Sequence, residues 1–363
     1  MSWKSLIAAG SVAVAIALAG PAPASAEPFK LDGPPKIAFV YFNVKNDGGW
    51  VQALDEARLK VEAETGQKIP YVENVPEVAS AIRPAVETFI KRGYNIIVGS
   101  AFGYSDTFKA LAEENPKVAF LNPAGTTNGP NLQSFYGRTY QSQYLCGMAA
   151  GGASKSGKLG FVAAHKIGLV DWTINAYALG AQKVNPAATV TVVFTGSWND
   201  PVKERAAADA LIEQGIDVIG QHVDTPAVQL VAQEKGVHST GHHRDMTEFA
   251  PDATICSSVW VWERYLVPTI KKIEAGTWEP SAYGDFPGIE QGGTDIKCCG
   301  AAVPKKVVDE VMAERQALID GAQIFKGPID DNSGAVKIPA GEVPSDADLW
   351  GMDWFVKGVI AQQ

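Results

Sequence analysis

The 363-residue chain is 46% hydrophobic and 20% charged, which excludes disorder and suffices for about two domains, and its 36 Gly and 22 Pro exclude collagen-like or low-complexity sequence. Acidic residues outnumber basic ones 40 to 31, a net charge of −9, and no basic run offers phosphate a stripe, so nucleic acid is not an expected partner. Four cysteines in a chain of this length are not the disulfide framework of a small secreted scaffold.

Residues 1–26 read as an export signal: Lys4, an apolar stretch from Leu6 to Ala19, and the small-residue cleavage site Ala24-Ser25-Ala26. The apolar stretch ends too soon, at Gly20-Pro21, for a comfortable membrane span. A mature chain starting at Glu27 is expected in the periplasm.

From Lys36 short β-branched runs alternate with amphipathic stretches. Strands are expected at residues 36–42, 68–72, 95–100 and 118–121, with helices at 49–65, 76–92 and 104–114 between them. After a helix at 141–154 the pattern restarts, with strands at 159–163, 189–194, 218–222 and 237–241 and helices at 171–184, 201–214 and 226–234. Apolar strands each followed by a helix indicate an α/β fold of parallel sheets, and two series indicate two similar lobes. The first lobe is read as residues 34–153 plus about 284–320, the second as 157–283, and residues 321–363 as a tail packing across both.

Two such lobes form a cleft, and open parallel sheets bind ligands at the carboxyl ends of their strands. Asn43 and the run Asp47-Gly48-Gly49-Trp50 follow the first strand, with a helix start there offering free N–H donors. Phe102 follows the third. In the second lobe Trp198, Asp224 and Asp245 follow successive strands. Trp50 and Trp198, one per lobe, suit a flat heterocycle held between two aromatic faces, and carboxylates select its ring N–H donors.

Other chemistries are weakly supported. His238, His242 and His243 have roughly ligand-like spacing, but a strand separates His238 from His242 by about 13 Å, too far for one metal ion. A bridge from Cys256 to Cys298 or Cys299 and buried thiols are equally compatible with the sequence. Gly-X-Ser-X-Gly elbows and phosphate loops are absent, and Asp200 with Glu204 reads as a solvated helix face. No enzyme chemistry, cofactor or metal is expected.

The segments Asp47–Trp50, Ser197–Pro201, Gln221–Pro226 with Glu234–Val237, and Asn175–Ala181 together resemble the basic membrane protein family of transporter substrate-binding proteins. The tail segments Gly327–Asn332 and Met352–Val359 share the resemblance, which spans nearly all of the mature chain. It implies a type I periplasmic binding protein, with two Rossmann-like lobes joined by a three-crossing hinge and closing on a ligand. It also implies a purine nucleoside-type ligand stacked by Trp50 and Trp198 and bound by Asp245. Where the family carries a ribose-binding lysine this chain has Trp260, a departure that favours a free base such as adenine. The implied partner is an ABC permease of the inner membrane, and the binding protein is read as a monomer. A nucleoside or sugar ligand, a nucleoside-acting enzyme and a sensor domain stand as alternatives.

Overall fold

A computed structural model describes residues 29–362, so the export signal expected at residues 1–26 lies outside the described residues. The run after Lys36 forms β1 (Ile37–Val40), buried at every position, because helices cover both faces of a parallel strand. Then come α1 (Trp50–Thr65), β2 (Tyr71–Val72), α2 (Ala79–Lys91), β3 (Ile96–Val98), α3 (Ser105–Glu114), β4 (Ala119–Pro123) and β5 (Leu132–Phe135). The five strands make one parallel sheet in the order β2-β1-β3-β4-β5.

The chain continues through α4 (Thr139–Ala153), β6 (Lys158–Ala163), α5 (Gly168–Val184), β7 (Thr189–Phe194), α6 (Pro201–Glu213), β8 (Val218–His222), α7 (Ala227–Lys235), β9 (His238–Gly241) and β10 (Thr254–Trp260). It ends with α8 (Trp262–Glu274), β11 (Thr294–Cys298), α9 (Lys305–Ile319), β12 (Ile329–Asp330), β13 (Val336–Ile338), α10 (Asp346–Trp350) and β14 (Val359–Gln362). The second sheet runs β11-β10-β9-β8-β6-β7-β14, with β11 antiparallel to β10 and the other pairs parallel. The chain is thus an α/β protein of two parallel-sheet lobes. No helix among the described residues is long and apolar enough to cross a membrane.

Strand order reverses between β1 and β3 in the first sheet and between β6 and β8 in the second. Loops leaving neighbouring strands at such a point diverge to opposite faces and open a crevice. Both crevices face the same cleft.

The lobe boundaries differ from those read in the sequence. α4 packs on α5 and across the second sheet, so it belongs to the second lobe. There Gly147 approaches so closely that an added Cβ would stand 2.1 Å from the Tyr177 carbonyl oxygen. α8 packs on α1 and belongs to the first lobe. β11 joins the second sheet, and α9 packs on α4. The chain therefore crosses at residues 136–138, at Val261 and at residues 288–293, where no composition shift marks a boundary. Periodicity identifies a helix but not the sheet it covers. In the tail β14 extends the second sheet beside β7, while Trp350 packs against Trp172 at 4.9 Å, Phe286 at 5.2 Å and Tyr136 at 5.8 Å between ring centroids.

The cysteines also pair otherwise. Cys256 and Cys298 are register partners across β10 and β11, but Cys298 is bonded to Cys299. Cys256 instead faces Cys146, delivered by α4, with the two Sγ atoms 3.0 Å apart and both thiols buried.

Candidate functional site

The loops at the two reversal points meet around a cavity of about 400 Å³, counted with its mouth. Phe42, Trp50, Ser100 and Phe102 line it from the first lobe and Trp198, His222, Asp224 and His243 from the second; Tyr136, at the first crossing, closes the wall between them.

Trp50 is placed by the turn ahead of α1. The left-handed Gly48 (φ 86°) folds the chain back, and Asp47 Oδ1 then accepts from the N–H groups of Gly49 at 2.9 Å and Gln52 at 3.0 Å. Its Oδ2 accepts from Val51 N–H at 3.0 Å. These donors are taken, so the expectation of a free helix N-terminus is corrected: the chain's own carboxylate fills it. Burial, and then the nearby Asp224, push the Asp47 carboxyl up to about 6 against those hydrogen bonds.

The Trp50 indole is more wall than lid. Its Nε1–H donates to the Ser100 carbonyl at 2.6 Å, and its rings meet Tyr136, Trp260, Trp262 and His243 at centroid distances of 6.2, 5.4, 5.6 and 5.6 Å. Trp198 is freer, half-buried with its ring edge-on to His165 at 5.0 Å.

Asp224 sits at the end of the β8 loop, its backbone N–H bound to the Trp198 carbonyl at 2.8 Å, which ties the carboxylate to the aromatic. Burial, and then the charge of Glu77 across the cavity, push its carboxyl well above the ordinary range. Thr225, next in sequence, donates to Glu204, whose other oxygen accepts from Asp200 N–H at 3.0 Å. Glu204 is fully buried, which corrects its reading as part of a solvated helix face. It pins the Trp198 and Asp224 loops to the start of α6.

Three imidazoles cluster beside Asp224, and two of them, His222 and His243, line the cavity. His222 and His242 lie 4.4 Å apart, and His242 and His243 4.0 Å apart, between centroids. Burial pushes all three below the usual histidine range, His243 to about 3. His222 lines the cavity with an Nδ1 that has no partner among the described residues. Among the described residues no group of three or more His, Cys, Asp or Glu is arranged to hold a metal.

Of the residues read from sequence, the fold brings Trp50, Phe102, Trp198 and Asp224 together at the cavity. Asn43 is not among its lining residues, whereas its neighbour Phe42 is. Asp245 is corrected too. A left-handed turn at His243 (φ 75°) aims the imidazole inward, and Asp245 faces outward, its carboxylate accepting from Thr247 N–H at 3.0 Å and Oγ1 at 2.7 Å. Trp260 stands behind the wall, its Nε1–H given to His243. Phe42, Glu77, Ser100, Tyr136 and His222 were missed as lining residues; Phe42, Ser100 and His222, at the ends of expected strands, carried a positional signal.

The family model for PnrA-like ABC transporter substrate-binding proteins, Bmp, matches residues 35–333. A purine-binding protein of Brucella abortus (strain 2308) is 33% identical over 328 residues, covering 89% of this chain and 92% of that one. A Haloferax volcanii protein provisionally named an ABC transporter glucose-binding protein, TsgA13, is 34% identical over 324 residues, covering 85% and 81%. Among solved structures, an ABC transporter solute-binding protein from Aeropyrum pernix K1 shares the fold with a TM-score of 0.67 at 17% identity, covering 87% of this chain and 95% of that one. The chain belongs to the Bmp family of PnrA-like ABC transporter substrate-binding proteins, and is a binding protein rather than an enzyme.

Proposed function

We propose that this protein captures an uncharged purine-type base, adenine or a close relative, and delivers it to an ABC permease. The observation that carries the reading is the composition of the cavity: aromatic rings from both lobes, the carboxyls of Glu77 and Asp224, and no Lys or Arg among its described lining residues. A phosphate or sugar acid entering such a site would meet two carboxyls and no compensating cation, so nucleotides are disfavoured. A flat heterocycle gains roughly 1–3 kcal/mol for each aromatic face it stacks on, and its ring N–H groups supply the donors that carboxylates need. Trp198 and Phe102 are the exposed stacking faces, Trp50 the fixed one, and Asp224 the acceptor.

The Brucella relative named for purine binding supports this reading, and the Haloferax relative named for glucose supplies a second. A sugar needs several polar partners around its ring, whereas most of the lining here is apolar, which favours the heterocycle. Export through the expected signal at residues 1–26, action in the periplasm and a monomeric state belong to the same proposal.

Thermal-shift and calorimetric titration with adenine, adenosine and glucose tests it. A ligand at about 100 times its Kd adds roughly 2.7 kcal/mol of stability. Adenine or a related base is expected to give the largest shift. A larger response to glucose, or to adenosine over adenine, would overturn the base assignment.

A further inference from the structure

Trp260 does not line the cavity, yet one residue joins it to the cavity wall. Its Nε1–H donates to Nδ1 of His243 at 2.9 Å, and both side chains are buried. An indole nitrogen only donates, so Nδ1 of His243 carries a lone pair there. A buried, neutral imidazole with a bare Nδ1 holds its hydrogen on Nε2. That Nε2 stands 3.1 Å from Oδ1 of Asp224, close enough to feel its charge but without the alignment of a hydrogen bond. The packing leaves the indole little freedom: Trp260 stacks on Trp262 with centroids 4.2 Å and planes 16° apart.

We propose that Trp260 is a positioning residue for ligand selection: through the tautomer of His243 it turns the Nε2–H edge, rather than a nitrogen lone pair, toward Asp224, which favours the carboxyl as the acceptor that reads a ring N–H of the ligand. This deepens, and rests on, the reading of the cavity as a purine-type site. With the other tautomer a nitrogen lone pair would face the carboxyl oxygen, and Asp224 would relieve the repulsion by holding a proton and becoming a donor. A donor recognises a ring nitrogen or carbonyl, an acceptor an N–H edge. Trp260 thus decides which kind of heterocycle edge the site accepts. Burial and Glu77 both push the Asp224 carboxyl up, and the Nε2–H edge 3.1 Å away is the dipole placed to act against them.

Long-range ¹⁵N–¹H spectra of the full chain read the tautomer without any ligand. Wild-type His243 is expected to show a bare Nδ1 and a protonated Nε2. Trp260→Phe keeps the stacking and removes the N–H; it should shift His243 toward the other tautomer and weaken adenine binding about tenfold, the order of one polar contact. Adding His243→Gln to that variant restores an N–H near the Nε2 position and should recover most of the affinity, which a merely structural role for Trp260 would not allow. Should Trp260→Phe fail to fold, the wild-type spectrum and His243→Gln alone, expected to bind within about threefold of wild type, decide the matter. A protonated Nδ1 in wild type, or unchanged spectra and affinity in Trp260→Phe, overturns the proposal. No adenine binding by the wild type, with the expected tautomer present, retires the purine reading and leaves the positioning device standing.

Discussion

Gly49 and the backbone carbonyl of Asp224 touch across the cleft: a Cβ added at Gly49 would stand 2.0 Å from the Asp224 oxygen. One residue earlier, a Cβ at Gly48 would meet Pro226 Cδ at 2.7 Å. The start of α1 in the first lobe is therefore seated directly on the β8 loop of the second, which we propose is the closed arrangement of the two lobes. Gly49→Ala is expected to prevent that seating while leaving each lobe intact. Ligand affinity should fall at least about tenfold, because a closed state lost to a clash lowers the competent fraction. Small-angle scattering in the presence of ligand should show the larger radius of gyration of an open form. Wild-type affinity in this variant would mean that capture does not need Gly49 against Asp224.

The two tryptophans read from the sequence as equals are expected to separate on mutation. Trp50 is buried among four rings and hydrogen-bonded to Ser100, so Trp50→Ala should cost about 3–5 kcal/mol of folding stability, as core truncations of aromatics do. Trp198 is half-buried at the cavity. Trp198→Ala should change the ligand-free melting temperature by only a few degrees and weaken binding roughly 10- to 100-fold. Denaturation and titration of both variants check the split; equal stability losses would remove the distinction between wall and stacking face.

That difference shows what one sequence discloses and what it hides. Alternating apolar runs and helices were enough for the parallel sheets, and the placement of Trp50, Phe102, Trp198 and Asp224 after strands was enough for the cleft. Local pattern cannot see which sheet a helix covers, so α4 and α8 were assigned to the wrong lobes. β5, with Gln133 and Ser134 at its centre, is too polar and short to read as a strand, and Tyr136 was lost with it. Asp245 looked like a ligand contact because it follows β9, but the left-handed turn at His243 spends the inward direction on the imidazole two residues earlier. Trp260 was placed at the family's ribose-binding position, but the bond from its indole nitrogen is directed at His243.

Buried carboxyls lower stability as pH rises, against the buried His222, His242 and His243, whose lowered values raise it as pH climbs to about 6.5. Burial pushes Glu204 up to about 7, and burial likewise brings Asp47 and Asp171 to about 6, above the values such groups have in an unfolded chain. The folded state then holds these protons more tightly than the unfolded state, so their contribution to stability falls as pH rises from about 4.5 to about 7. Glu204→Gln keeps an oxygen for the Asp200 N–H and removes the charge. It should stabilise the protein relative to wild type at pH 8 by up to a few kcal/mol, and by much less at pH 5. Asp47 and Asp171 preserve part of the slope. Urea denaturation of both proteins from pH 5 to pH 8 is the measurement, and a variant that gains no stability over wild type as pH rises would contradict the assignment of Glu204.

The Cys146 and Cys256 thiols face each other at 3.0 Å inside the second lobe, both inaccessible, and burial followed by the neighbouring Cys256 pushes the Cys146 thiol well above the ordinary range. The thiolate is the reactive form, so a group both buried and held protonated is protected twice over. Native protein at pH 8 should take up no iodoacetamide at either position over the time in which a free thiol reacts fully. Denaturant without reductant should release both for alkylation, while Cys298 and Cys299, bonded to each other, stay unmodified until a reductant is added. Peptide mass spectrometry distinguishes the four positions. Rapid labelling of Cys146 in the native state would mean that α4 opens from the second sheet far more readily than its packing against β10 implies, and would move the flexible part of the molecule from the hinge into the lobe.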